Sequence, residues 1–542
     1  MTRRAQPREG YVIFAVLVVV VVLSLTAYRF ADAMIGEYRA GVRAVEDAQV
    51  KAAAVSGLHY AAAVLADRET FYGDLGGNPF DNADIFEEFE VPEAGTAGGT
   101  GRTPKFSIRA VVPDSTGTYE QRFGVVDEGG KLNINSLIAL DSTGEQLYAA
   151  LMKLPNMTED VANAIVDWVD TDDVERASGA ESSYYQSLPN PYRTKNGPLN
   201  SLDELLFVKG VTPELLYGGD RNRNGVVDGD ETDNTRGWSD YLTVYGREIN
   251  VDMSGTVRIY LNGDDLETLY KQLQQAVGDE LAAYIVASKV FSPTRAQAAT
   301  ATLSLSSGGG GGGSMTFTVT GTSGGNNQQG QRPKVAATTE QLIAAVQAQI
   351  AATGTSGKRI RSLMDLTNTQ IALPRPPGTP NDVPDYVAYS PLLDPTKLNQ
   401  MLPALLDKTT TRQAVEMVPR INVNSAPREV LLAVPTMTEA EVDAILTARP
   451  NQVLTDVGTV STAWLVTSSA LTTARFKQVE RYLTGSSMVY RAQSIGYTRP
   501  NGAVARMEAV IDTNQGAPRF LMVRDLSELE SPRGFRPTSV SN

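Results

Sequence analysis

The sequence predicts an α+β protein: a long N-terminal helix, an antiparallel sheet, and a large helical domain inserted between the strands. Three observations lead there. One apolar run near the N-terminus passes without a break into an amphipathic helical pattern. Strand-like segments lie near both ends of the chain. Between them, short helix–turn–helix phrases recur. At 542 residues the chain has room for several domains.

The helix comes first. From Tyr11 to Tyr28 there is no charge, proline or glycine, and about 18–20 such residues cross a bilayer core of about 30 Å. Arg3, Arg4 and Arg8 precede the run and Arg29 ends it, which predicts a cytoplasmic N-terminus with everything later outside. Leu25-Thr26-Ala27-Tyr28-Arg29 is a poor site for a signal peptidase, which needs small residues at an A-x-A-like position. Met34, Tyr38, Val42, Val45, Val55, Leu58, Ala62 and Leu65 continue largely at three- and four-residue steps. The spacing predicts one helix, with residues 11–28 in lipid and 29–72 amphipathic.

The strands follow. Residues 102–126 read as a hairpin with one buried face, on which Phe106, Ile108, Ala110 and Val112 alternate with Ser107, Arg109 and Val111. Residues 484–527 carry the closing strands, turned at Arg499-Pro500-Asn501-Gly502. Strands at both ends of a helical middle imply one sheet that carries a large insertion.

That insertion divides into a helical domain over 127–247, a second helical segment over 248–306 and further helical hairpins over 339–483. Residues 307–338, with six consecutive glycines from Gly308 to Gly313, read as a flexible linker. Internal repeats mark the hairpins. LNINS (Leu132–Ser136), EINVD (Glu248–Asp252) and INVNS (Ile421–Ser425) echo one another, as do LPNMTEDVANAIVD from Leu154 and VPTMTEAEVDAILT from Val434. Thr158 and Thr438 are natural helix N-caps, each followed by a glutamate that the helix dipole favours. The turns lack the G-x-G pattern with which a helical hairpin can grip DNA, so they read as packing modules.

Composition narrows the chemistry. A net charge of −14 argues against a nucleic-acid partner. With no cysteine and one histidine, His59, thiol catalysis and cysteine-based zinc sites are excluded, and a His-rich metal site or a Ser-His-Asp triad is disfavoured. Any catalysis would run on carboxylates. His59 itself reads as a solvated helix-flank residue.

The sharpest motif is DRNRNGVVDGDE, Asp220 to Glu231. Oxygen donors stand at positions 1, 3, 5, 9 and 12 (Asp220, Asn222, Asn224, Asp228, Glu231). Gly225 takes the sharp turn at position 6 and Val226 offers its carbonyl at position 7. That is the EF-hand loop spacing, and it predicts calcium. No second helix starts after it, so the cation would be structural. A weaker cluster, Asp167-Trp168-Val169-Asp170-Thr171-Asp172-Asp173 with Glu181 beyond, leaves three readings open: paired carboxylates for acid–base catalysis, a second cation site, or a solvated helix end.

A short basic leader ending in Glu9-Gly10, followed by the Tyr11-led run, resembles the class III leader of type IV pilins and type II secretion pseudopilins. The resemblance implies cleavage between Gly10 and Tyr11 by the prepilin peptidase, so that residues 1–10 are removed. Ala15 stands where that family usually has glutamate, which implies a place at the filament tip. GVVDEGGKLNIN (Gly124–Asn135), IVDWVDTDD (Ile165–Asp173), GAESSYY (Gly179–Tyr185), PYRTKNGPLNSLDELLFVKGV (Pro191–Val211) and INVNSAP (Ile421–Pro427) follow the order seen in the K family of general secretion pathway pseudopilins. What this implies is a pilin-like fold with a calcium-associated helical insertion, acting as a non-enzymatic minor pseudopilin. It also implies a single-pass inner-membrane protein with its bulk in the periplasm. Its partners would be other minor pseudopilins through the N-terminal helix, the prepilin peptidase, and exported cargo or the secretion channel. Asp170, Asp172 and Glu181 are implied as ligands of a second cation. The chain departs from that family in carrying two returns to the sheet, EINVD and INVNS, which points to an enlarged or duplicated insertion. Two alternatives stay open: a calcium-stabilised, membrane-anchored envelope enzyme, and a minor pilin or adhesin of a type IV pilus.

Overall fold

Helix α1 (Glu9–Ala66) is 58 residues long, about 87 Å at 1.5 Å per residue. It is exposed from Tyr11 to Ala44 and becomes buried at Val50. By length and composition it is apolar enough to cross a membrane, with a mean hydropathy of 2.6 in its most apolar window. Its second half is shorter than the sequence suggested. Asp67 leaves helical geometry and its carboxylate accepts from the Thr70 amide at 3.1 Å, so residues Arg68–Tyr72 form a separate turn. An aspartate in that position caps better than it propagates. This computed structural model describes residues 9–91, 103–113, 119–220, 222–224, 231, 236–296, 300–302, 318–320, 334–353, 357–375, 378–380, 383–450, 455–498, 503–514 and 516–529. Residues 1–8 and nearly all of the Gly-rich stretch lie outside that set.

The sheet is built from both ends of the chain, as the pattern of strands predicts. Its strands are β1 (Phe89–Glu90), β2 (Lys105–Pro113), β3 (Tyr119–Arg122), β4 (Val126–Asp127), β5 (Val489–Tyr497), β6 (Val504–Asp512) and β7 (Arg519–Asp525). The order is β1-β2-β5-β6-β7, with β3 on β2 and β4 on β5, and all pairs are antiparallel. Ile108 faces Ser494 across β2 and β5, and Ala492 faces Ala509 across β5 and β6.

Helix α1 lies on one face of this sheet. Val50, Ala54, Leu58, Ala61 and Leu65 pack against Phe106, Ile108, Ala492, Met507 and Ala509. Two glycines set the distance. A Cβ on Gly496 would stand 2.0 Å from the Val50 carbonyl oxygen, and one on Gly57 would stand 2.2 Å from Ser494 Oγ. Burial of the Leu58–Leu65 end of the stripe within this chain leaves Met34, Tyr38, Val42 and Val45 as its uncovered part.

The opposite face of the sheet corrects the expectation of a single buried face. Arg506, Glu508 and Asp512 alternate with the core residues of β6, and all three are buried. The insertion covers them. Arg491 bridges Glu128 (2.6 Å) and Glu508 (3.0 Å), and Arg247 reaches Asp512 at 2.7 Å. Polar residues in an alternating strand look solvent-facing by sequence; here they meet polar partners of another domain.

In the insertion, two units share one plan. In the first, Leu132–Asn133 pairs in parallel with Leu242–Thr243; in the second, Ile421–Asn422 pairs in parallel with Leu483–Thr484. Leu132 N donates to Tyr241 O at 2.7 Å and Ile421 N to Tyr482 O at 2.8 Å. Each unit closes on the same Tyr-Leu-Thr, at 241–243 and 482–484. Between these strands stand a pair of helices, α2 (Glu145–Leu151) and α3 (Glu159–Val169) in the first unit, α4 (Arg428–Leu432) and α5 (Glu439–Ala448) in the second. The turn takes a left-handed residue at equivalent places, Asn156 (φ 58°) and Thr436 (φ 67°). The EINVD phrase has another role. Glu248–Ile249 pairs antiparallel with Glu416–Met417, so residues 250–415 leave and return through a two-stranded neck. One hydrophobic core runs through all of this, from Leu132 to Leu483.

Candidate metal sites of the insertion

The loop from Asp220 lies where the first unit meets the face of the sheet opposite α1. Asp220, Asn222 and Asn224 are buried. Asn224 N donates to Asp220 Oδ1 at 3.1 Å and to Asn222 Oδ1 at 3.0 Å, and Asn222 N to Glu231 Oε1 at 3.5 Å. The described donors thus curl around a common centre, with Arg223 left-handed (φ 58°) and its guanidinium 3.9 Å over the Tyr217 ring. Val226 and Asp228 lie outside the described residues. The outward carbonyls of the loop are held by the sheet. Arg506 of β6 donates to Arg223 O at 2.8 Å and to Asn222 O, and Gln121 of β3 donates to Asn224 O at 2.6 Å. An all-oxygen donor set with a closing glutamate fits Ca²⁺.

The second cluster differs from the expectation. Asp167, Asp170 and Glu181 bring one carboxylate oxygen each within 4.8 Å of the others, all three buried. Asp172 is exposed, and its carboxylate accepts from Val174 N at 2.9 Å. The reason is helical geometry: α3 places Asp167 and Asp170 on one face at i and i+3, whereas Asp172 lies past the C-cap at Asp170. The i, i+3 spacing of Asp167 and Asp170 is the sequence signal for Asp167. Gly179 lets the returning loop close in, since a Cβ there would stand 2.0 Å from Asp167 Oδ2, and Ala180 N donates to that oxygen at 2.8 Å.

Charge in this cluster is poorly balanced by protein alone. Asp170 Oδ1 and both Glu181 oxygens are buried without a hydrogen-bond partner among the described residues. Burial, with Asp172 and Asp167 nearby, pushes the Asp170 carboxyl up to about 6. Burial, with Asp167 and Asp170 adding, pushes Glu181 up to about 8. The Arg176 guanidinium turns away to Asn163 and Glu145. Orphaned carboxylate oxygens converging in a buried pocket fit a hard divalent cation as a fourth party. They fit a solvated helix end poorly.

Of the sequence-level candidates, Gly10 lies within α1 at its first turn and Tyr11 follows, exposed. His59 is exposed, edge-on to Phe520 with ring centroids 5.0 Å apart.

Comparison with known proteins gives three findings. Residues 130–217 match the family model for type II secretion system (T2SS), protein K. The type II secretion system protein K of Pectobacterium carotovorum subsp. carotovorum is 40% identical over 57 residues, 10% of this chain and 17% of that protein. A relative from Escherichia coli (strain K12) is 38% identical over 58 residues, 11% of this chain and 18% of its own length. The chain therefore spans less than a fifth of the length of the curated relatives it matches. Among solved structures, the GspK-GspI-GspJ complex from the enterotoxigenic Escherichia coli type 2 secretion system aligns over 90% of this chain and 99% of the matched chain. The identity there is 12% and the TM-score 0.35, a loose superposition.

Proposed function

We propose that this chain, which carries a type II secretion system protein K domain at residues 130–217, is a minor pseudopilin of a type II secretion system. In this reading it forms or caps the pseudopilus tip and serves protein export across the outer membrane as a structural subunit, not as an enzyme. The observation that carries the reading is the joining of strands from both chain ends into one sheet on the lower half of α1, with the matched domain inserted between β4 and β5. Residues 1–10 are the leader removed by the prepilin peptidase, Tyr11–Tyr28 crosses the inner membrane, and the rest lies in the periplasm. Met34, Tyr38, Val42 and Val45 meet the helices of other minor pseudopilins. The wide acidic head faces cargo or the secretion channel. Calcium occupies both oxygen-rich sites, held by Asp220, Asn222, Asn224, Val226, Asp228 and Glu231 in one and by Asp167, Asp170 and Glu181 in the other; the first fastens the insertion to the sheet and the second braces the insertion internally.

Gene deletion with complementation tests this. Without the chain, exported cargo should accumulate in the periplasm, and the full-length protein should restore its release. Unchanged export in the deletion strain would overturn the proposal.

A further inference from the structure

A cavity of about 350 Å³ opens where the neck of the 250–415 module meets the two repeat units and the sheet. Its wall includes Asn133, Thr243 and Thr484 from the paired edges of both units, together with the neck residues Glu248, Ile249 and Met417. The volume is in the range of small-ligand sites. The wall is polar and its charge runs against that of the molecule. Lysines and arginines outnumber aspartates and glutamates eight to five, in a chain of net charge −14.

The pairing within the wall sharpens this. Arg420 is neutralised by Glu248, with Nε 3.1 Å from both carboxylate oxygens. Arg247 is taken by Glu416 and Asp512, and Lys477 by Asp365. Four guanidiniums have no carboxylate partner among the described residues. The Arg258 side chain donates to the Asp407 carbonyl at 2.9 Å, Arg481 lies 4.8 Å over the Tyr482 ring, and Arg361 and Arg412 are exposed residues of the cavity wall. Crowding is felt: burial and the neighbouring Arg420 hold Arg258 below the ordinary arginine range against the opposing pull of Glu248, Asp407 and Asp252. Guanidinium groups gathered from four separate segments with too few acids are matched in charge and in fork geometry by an oxyanion.

We propose that this cavity is a binding site for a compact dianion bearing carboxylate or phosphate oxygens, gripped by Arg258, Arg361, Arg412 and Arg481. The proposal does not depend on the pseudopilin reading.

Isothermal titration of the full-length, calcium-loaded protein in detergent micelles tests it, with glutarate in one arm and inorganic phosphate in the other. One site per chain is expected for at least one probe, and the arm that binds identifies the source of the oxygens. Arg361→Gln with Arg412→Gln, both exposed positions, should weaken that binding at least tenfold without moving the melting temperature. Glu480→Gln, which removes a wall carboxylate, should tighten it severalfold. This second variant keeps the test decisive if the double variant unfolds. No binding in either arm, or equal binding by wild type and both variants, would make the cavity a water-filled seam and overturn the proposal.

Discussion

Arg506 on β6 donates from Nη1 to the carbonyl of Arg223 at 2.8 Å, joining residues 283 apart in sequence. The side chain is 1% exposed. It therefore carries a buried charge whose described partners include loop carbonyls, so the sheet and the calcium-type loop hold each other in shape. Replacing Arg506 with Gln should loosen both. Hydrogen bonds to a charged group contribute about 1.5–3 kcal/mol, so a lower melting temperature and calcium binding weakened by about tenfold are expected. A calcium titration with thermal melts reads both. Unaltered calcium affinity would separate the loop from the sheet.

Calcium removal should destabilise the protein. A cation held at 100 times its Kd adds about 2.7 kcal/mol per site. Chelation should lower the melting temperature and expose the insertion to protease. Glu231→Gln should abolish part of that calcium response and Asp167→Asn another part. A melt indifferent to chelator would leave both sites without a cation.

The Glu128–Arg491 pair makes a pH prediction. Burial would raise the Glu128 carboxyl, but Arg491 and Lys131 outweigh it and hold it down at about 2. A depressed carboxyl adds stability above its unfolded value near 4.5, and that contribution disappears as pH falls towards 2. The difference corresponds to about 3 kcal/mol. Wild type should lose stability steeply between about pH 4.5 and 2. Glu128→Gln should be less stable at pH 7 and flatter across that window. Parallel acid-denaturation curves for the two proteins would contradict the assignment.

Close approach of α1 to the sheet can be tested at Gly496. A methyl group there would sit 2.0 Å from Val50 O, so Gly496→Ala forces helix and strand apart and should cost about 1–3 kcal/mol. Denaturant midpoints report it. A variant as stable as wild type would mean that the helix does not lie there.

The chain has no cysteine, which makes contact mapping clean. Cysteines introduced at Tyr38 and Val42 should cross-link to partner helices in membranes, whereas one at Ala54, buried against the sheet, should not. Cross-linking at Ala54 but not at Tyr38 would reverse the assignment of the two halves.

Much of this was legible in the sequence because it is local. The apolar run, the alternation in Phe106–Val112 and the Thr-capped repeats each follow from a short period or a cap. What was not legible is long-range. The neck between Glu248–Ile249 and Glu416–Met417 is two residues per strand, too short to leave a pattern. The polar face of β6 reads as solvated because alternation cannot tell water from a polar domain. The family resemblance implies Asp172 as a ligand, whereas the helical phase of α3 sets Asp167 beside Asp170 and leaves Asp172 outside the cluster.

We propose that Tyr11–Tyr28 begins a processed pseudopilin helix. Mass spectrometry of the mature protein from membrane fractions tests it most directly. The mature chain should begin at Tyr11, cut after Gly10. A chain still beginning at Met1 or Thr2, or one cut near Arg29, would contradict it.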